Sequence, residues 1–264
     1  MMQKFIFDID GTLTPSRAKI DDEFALFFLD FCKNNHVYLV TGSDKPKTVE
    51  QIGNRLYGKA QRVYNCSGAD VYEGSKNVHT SDWILPQEAH QWLENALDRS
   101  KYPVRTGNHI EYRPGMVNFS VVGRHATIEE RSHYVVYDKE TNERNLIARD
   151  FNKSFPRLQA VVGGETGMDI FPKGGDKSQI LKDFSSDDTL YFFGDRIDPA
   201  GNDYTLARAI ARRSSTGNDL GKNFKVKNWQ HTWEELKYFD PRLPMYKGKR
   251  KPAPMTQAQR NKLI

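Results

Sequence analysis

The chain has 264 residues, 38% of them hydrophobic and 28% charged, with a formal net charge of +5 and a mean hydropathy of -0.72. That length buries a substantial core in one large or two smaller domains, and no apolar run approaches the roughly 20 residues a spanning helix needs, which excludes a membrane-crossing chain. Cys32 and Cys66, the two cysteines, provide neither a disulfide framework nor a CxxC metal site and read as buried free thiols, while the modest positive charge decides nothing between nucleic acid, phosphorylated metabolites and plain solubility.

From the N-terminus, FIFDI reads as a buried strand ending on a carboxylate. It leaves no room for a signal peptide, so a cytoplasmic protein is expected. The helix DDEFALFFLDFCKNN follows, its acidic start and Asn-Asn end suiting the helix dipole and a C-terminal stop. HVYLVTGS is the next strand, DKPKTVEQIGNRLYG a turn and helix, and RVYNCSGADVYEG a strand, a glycine turn and a short hairpin strand. Strands alternating with helices imply a parallel sheet covered on both faces, whose ligands sit beyond the carboxyl ends of the strands. Asp8 and Ser43 fall at such ends.

The rhythm changes near Ser81. DWILPQEAHQWLENALDRS gives an amphipathic helix, and NHIEYRPGMVNFSVVGR alternates like an antiparallel pair. A helix over about 127–135, a linker and helix over 139–155, and the strands LQAVVGG and GMDIFP continue what reads as an inserted domain. PKGGDKSQILKDF then restores the first pattern, LYFFGDRIDPAGND is a second strand ending in an acid, a helical period runs from Gly201 to Arg213, and FKVKN with HTWEELKYF closes the core. The expected division is a core over 1–81 and 174–240, an inserted cap over 82–173, and a basic extension over 241–264, poorly ordered or draped over the core.

Paired acids at the end of a buried strand suit phosphoryl transfer. A carboxylate can attack phosphorus if a divalent cation and hydrogen-bond donors neutralise the phosphoryl charge. Asp8 suits the nucleophile, Asp10 the general acid/base, and Thr12 a donor near the phosphate, with Gly11 allowing the turn. Alone, DxDGT also reads as an Asx-type turn. Ser43 in VTGSD, Lys177 in GGDKSQ and Asp195 in FFGDRIDPAGND supply a hydroxyl, a cation and a metal-binding acid. Singly they read as a helix N-cap, an exposed helix lysine and a turn acid; their ordered appearance beside the first motif favours a site.

In that order, DIDGTLT, VTGS, GGDK and FFGDRIDPAGND resemble the four motifs of the haloacid dehalogenase-like (HAD) phosphotransferase superfamily. The resemblance implies an α/β fold: a Rossmann-like core with a parallel sheet and an inserted α+β cap of type IIB. It implies Asp8 as nucleophile, Asp10 as acid/base, Ser43 and Lys177 on the phosphoryl group, and Mg2+ held by Asp8, the Asp10 carbonyl and Asp195, with Asn202 and Asp203 near that metal.

TPSR, EYRPGMVNFSVVGRHATIEER, GGETGMDIFPKGGDK and FFGDRIDPAGNDY are further similar to the eukaryotic-type phosphomannomutase family, over Phe5 to roughly Tyr238. By that resemblance the cap arginines Arg113, Arg124 and Arg131 grip a sugar phosphate's distal group, Arg17 is a core arginine that also approaches substrate, and Asn118 and Asp169 contact the ligand. It implies interconversion of mannose 6-phosphate and mannose 1-phosphate, with glucose phosphates accepted too. The route runs through an aspartyl phosphate and a hexose 1,6-bisphosphate activator in a homodimer joined by its caps. Ala18, Gly167 and Thr41 depart from the family pattern, which expects glutamine, serine and glycine there. Thr41 and Gly167 keep alive an alternative, a sugar-phosphate phosphatase on the same scaffold. The basic tail motivates a third, a nucleic-acid or partner-binding module, against which the intact acid pair argues.

Overall fold

Alternation along the first strand sets the layers. In the computed structural model, which describes residues 2–199, 201–213 and 220–239, β1 (Gln3–Phe7) sends Phe5 and Phe7 to one face of the sheet and Ile6 to the other. The first face is covered by α1 (Asp22–Asn34), α2 (Lys45–Lys59) and α7 (Trp229–Leu236), which contribute Phe24, Phe28, Ile52, Leu56, Trp229 and Trp233 to one cluster. The second is covered by α6 (Tyr204–Arg213) and a 3-10 run over Lys177–Asp183. Each aromatic ring taken wholly from water stabilises the fold by about 1.5–3 kcal/mol. α1 forms because Phe24, Phe27, Phe28 and Phe31 recur at helical spacing and Asp21 caps its start, accepting from the Glu23 and Phe24 N–H groups.

The larger sheet has seven strands in the order β11-β10-β1-β2-β3-β4-β5. β2 (His36–Val40), β3 (Arg62–Asn65), β10 (Thr189–Gly194) and β11 (Gly221–Lys225) run parallel with β1, whereas β4 (Asp70–Glu73) and β5 (Lys76–Thr80) form an antiparallel hairpin at one edge. β5 carries no sequence signal because all five residues are exposed and none of its faces needs apolar side chains. The register pairs Phe7 with Leu39 and with Phe193, so residues 8, 41–43 and 195 emerge together at one sheet end.

Between β5 and the 3-10 run the chain builds a second sheet of four antiparallel strands, β6 (Ile110–Arg113), β7 (Met116–Phe119), β9 (Gly167–Pro172) and β8 (Leu158–Gly163) in that order. α3 (Gln87–Arg99), α4 (Ile128–Thr141) and α5 (Glu143–Ser154) cover one face, where Leu93, Val117, Phe119, Tyr134, Phe151 and Ile170 pack. The other face meets the larger sheet's domain through Met116 and Phe171, which pack on Cys66 and Ala69. α4 runs further than its sequence suggests, to Thr141, because the break falls on Asn142 in the left-handed conformation (φ 56°), a place that asparagine tolerates.

Cys32 and Cys66 are free and buried, and burial pushes each thiol up to about 12. Among the described residues no helix is long and apolar enough to cross a membrane. The basic extension expected over 241–264 lies outside the described residues.

Candidate active site

The core wall is built where the parallel strands end. The Asp8 N–H donates to the Phe193 carbonyl at 2.9 Å, so pairing of β1 with β10 fixes where this carboxylate emerges. Gly11 follows at φ 79°, and a Cβ there would strike the Asp195 carboxylate, so the turn needs glycine. Asp8 is only 3% exposed. Its Oδ1 accepts from Lys177 Nζ at 2.5 Å and its Oδ2 from the Thr12 hydroxyl at 3.2 Å, while the same Nζ donates to Asp203 Oδ1 at 2.7 Å. At 1% exposure Lys177 is no surface lysine.

Carboxylate oxygens of Asp8, Asp195 and Asp203 lie within 4.8 Å of one another. Burial, then the neighbouring Asp203, raises Asp8 well above the usual carboxylate range against the pull of Lys177. The same two causes lift Asp195 to about 6. Burial opposes the charge of Lys177, but Asp203 and Asp8 outweigh it and raise the ammonium. Three acids face one ammonium, and hard oxygen donors short of positive charge fit a divalent cation.

Asp10 stands apart from that cluster: its Oδ1 accepts from the Arg17 main-chain N–H at 2.7 Å and from Gln51 Nε2 at 2.9 Å. At the end of β2, the Thr41 side-chain oxygen accepts from the Ser43 N–H at 3.0 Å, and the N-cap of α2 is Asp44, not Ser43. Ser43 is thereby left to face the cavity.

The cap wall comes from the helix-free face of the smaller sheet. Register places Glu111 opposite Asn118 and Asn118 opposite Asp169, a polar row across three strands, and Asn118 Nδ2 donates to Asp169 Oδ1 at 2.7 Å. Glu111 bridges two arginines, holding Arg113 Nε on Oε1 at 2.9 Å and Arg124 Nε on Oε2. Burial works against its charge, but Arg113 and Arg124 prevail and hold it below the usual carboxylate range. Arg113 also donates from Nη1 to the Gly42 carbonyl at 3.3 Å, linking cap to core. Arg17 reaches across from the core. Its Nη2 lies 3.5 Å from where a Gly164 Cβ would stand, and burial, then the guanidiniums of Arg131 and Arg124, hold it below the arginine range. Arg131 Nη2 is 3.6 Å from Glu165 Oε2 and has no hydrogen-bond partner although buried. Between the walls lies a cavity of about 550 Å3, lined by Asp8, Asp10 and Asp195 from the core and by Arg113, Arg124 and Asp169 from the cap.

The eukaryotic phosphomannomutase family model matches residues 24–226. A phosphomannomutase of Saccharomyces cerevisiae is 32% identical over 76% of this chain and 83% of its own length, and one of Drosophila melanogaster is 32% identical over 81% and 91%. The chain belongs to the eukaryotic phosphomannomutase family. Its fold is shared with a haloacid dehalogenase-like hydrolase from Bacteroides thetaiotaomicron, at a TM-score of 0.51 and 13% identity over 79% of this chain and 85% of that one.

Within this phosphomannomutase-family chain, Asp8, Asp10, Ser43, Arg17, Arg113, Arg124, Asn118 and Asp169 all line the one cavity, as does Asp195. Thr12 and Lys177 stand behind Asp8 and bond to it. Arg131 is not among the lining residues, and reaches the site through its charge on Arg17. The acid that completes the cluster with Asp8 and Asp195 is Asp203, and the Asp10 carboxylate is not part of it. Gln51 and Glu111 are site residues that motif reading does not single out. Gln51 sits on the buried face of α2 among apolar neighbours, where a 2% exposed polar residue is the one usable signal. For Glu111 strand alternation puts Arg113 on the same face two residues on, but its second partner, Arg124, is known only from the fold.

Proposed function

We propose that the chain is a phosphomannomutase that interconverts mannose 6-phosphate and mannose 1-phosphate, glucose phosphates being accepted too. One observation carries the reading: a single cavity is lined by Asp8, Asp10 and Asp195 on its core wall, with Lys177 behind Asp8, and by Arg113 and Arg124 on its cap wall. A substrate bearing phosphate at both ends needs two anion sites facing each other, and guanidiniums supply the one without a nucleophile.

In this reading Asp8 attacks phosphorus while the bond from phosphorus to the sugar oxygen breaks, and Asp10 protonates that oxygen. The phosphoryl group is passed back to the other hydroxyl as Asp10 takes the proton. Ser43, Thr12 and Lys177 surround the phosphoryl end. Arg17, Arg113, Arg124 and Arg131, with Asn118 and Asp169, hold the rest of the hexose phosphate. Mg2+ would be held by Asp8, the Asp10 carbonyl and Asp195, with Asp203 beside them, and when bound it supplies charge neutralisation at the phosphoryl oxygens. The division into a core over 1–81 and 174–240 and a cap over 82–173, a homodimer through the caps, and a hexose 1,6-bisphosphate activator belong to the same reading.

The phosphatase alternative rests on Thr41 and Gly167. A Cβ at Gly167 would stand 2.9 Å from Asn118 Nδ2, so this chain trades a side chain at that point for room beside Asn118. The test incubates the protein with Mg2+, mannose 1-phosphate and a trace of hexose 1,6-bisphosphate, then measures mannose 6-phosphate against free phosphate. Mannose 6-phosphate is expected to dominate; mostly free phosphate would make the protein a phosphatase.

A further inference from the structure

Arg17 is the third residue of a tight turn that the Ala18 N–H closes onto the Pro15 carbonyl at 3.0 Å. It takes φ 57°. That turn position with positive φ favours glycine or asparagine, and an L residue with a Cβ is held there against its own preference. Two contacts oppose the relaxation. The main-chain N–H donates to Asp10 Oδ1 at 2.7 Å. The side chain runs the other way, to the cap, beside Gly164 and within the field of Arg124 and Arg131. No carboxylate bonds to the Arg17 guanidinium among the described residues, and buried Arg131 Nη2 has no hydrogen-bond partner. Arg124 is paired with Glu111 and Arg131 stands 3.6 Å from Glu165, so the guanidinium that an anion would partner is that of Arg17.

We propose that Arg17 is a positioning residue that couples the two ends of the site: an anion in the arginine cluster fixes its side chain, which fixes its left-handed backbone, which holds Asp10 oriented for proton transfer. The inference rests on the functional reading above, in that the anion is the distal phosphate of a hexose phosphate. With the cluster empty, the left-handed conformation of Arg17 competes with negative φ, and in the share of molecules that cross over the N–H leaves Asp10. Gln51 Nε2, at 2.9 Å from the same oxygen, then remains as the constant donor, so Asp10 is loosened and not lost. A substrate with one phosphate and no second anion therefore meets a poorly oriented acid, which disfavours wasteful hydrolysis. Such coupling uses remote binding to improve the chemical step.

The experiment compares the wild type with Arg17→Gly and Arg17→Ala. Both variants keep the main-chain N–H and lose the guanidinium; only glycine adopts φ 57° freely. The substrate is p-nitrophenyl phosphate at saturation, a monoester without a second anion, and sulfate is the probe of the arginine cluster. Sulfate is expected to raise the wild-type kcat several-fold and to leave both variants unchanged. Without sulfate, Arg17→Gly should exceed Arg17→Ala in kcat by about tenfold, the population factor set by the left-handed penalty, while both show a hexose phosphate KM at least about tenfold above wild type. A purely structural role would shift melting temperatures but not this split. Equal kcat values in the two variants, or sulfate that fails to raise the wild-type kcat, would overturn the coupling. Isomerisation by the wild type is measured in parallel: its absence sinks the functional reading, whereas isomerisation with equal variants sinks only the inference.

Discussion

The Asp8 carboxylate shares one buried ammonium with Asp203, and burial and Asp203 raise it well above its ordinary value. A raised carboxylate is one the folded state prefers protonated, so at neutral pH its charge lowers the stability of the metal-free protein. Asp8→Asn should leave the melting temperature in chelator unchanged or higher while reducing phosphoryl transfer by about 10³-fold or more; a variant that melts well below wild type would mean that Asp8 is chiefly structural. The same imbalance predicts that Mg2+ raises the melting temperature, because a ligand that binds only the folded form stabilises it. Asp203→Asn should abolish most of that shift. An undiminished shift in this variant would place the cation elsewhere.

Elements, not single residues, bring the site together, and this decides how much of it the sequence discloses. Asp8 and Asp195 are legible because each interrupts an apolar strand at its carboxyl end, and in the register those ends coincide. Arg113, at the end of β6, and Arg124, in the turn after Gly123, are legible only with a family in mind, since an arginine at a strand end or turn is ordinarily solvated. Gln51 is illegible because its partner Asp10 lies 41 positions away, and Glu111 is half legible, since strand alternation sets it beside Arg113 but nothing local encodes its contact with Arg124, 13 positions away. The hairpin strand β5 is illegible for the opposite reason, having no buried face. One ion pair ties β1 to the loop before β10: Lys4 Nζ meets Asp188 Oδ2 at 2.6 Å. Burial pushes Asp188 up, but the Lys4 hydrogen bond and the Ser185 N–H outweigh it and lower it from 3.8. A lowered carboxylate contributes stability that is present above its unfolded value and is lost as pH falls through the folded one. Asp188→Asn should cost about 1.5–3 kcal/mol near pH 7, and urea unfolding at successively lower pH should show the gap to wild type shrinking below about pH 4. A gap independent of pH would assign the cost to packing.

At the scale of the whole molecule, function depends on two walls meeting at a seam. The turn between β6 and β7 bears on the core through Gly115, at φ 64°, where a Cβ would strike that of Ala69 and come within 2.9 Å of Ser81 Cβ. Gly115→Ala should therefore move the cap against the core. Its effect should fall on hexose phosphates, with KM rising several-fold, more than on p-nitrophenyl phosphate, which needs only the core wall. Equal losses on both substrates would show that the seam supports the core site as well. The account as a whole turns on a phosphoryl group carried by the core wall while the cap wall holds the sugar's other end. Its most direct test is to incubate the protein with hexose 1,6-bisphosphate and Mg2+, quench, reduce with borohydride and map the modified peptide by mass spectrometry. The account predicts that the acyl phosphate is found at Asp8 and is absent from Asp8→Asn; modification at any other side chain, or none under conditions of turnover, would contradict it.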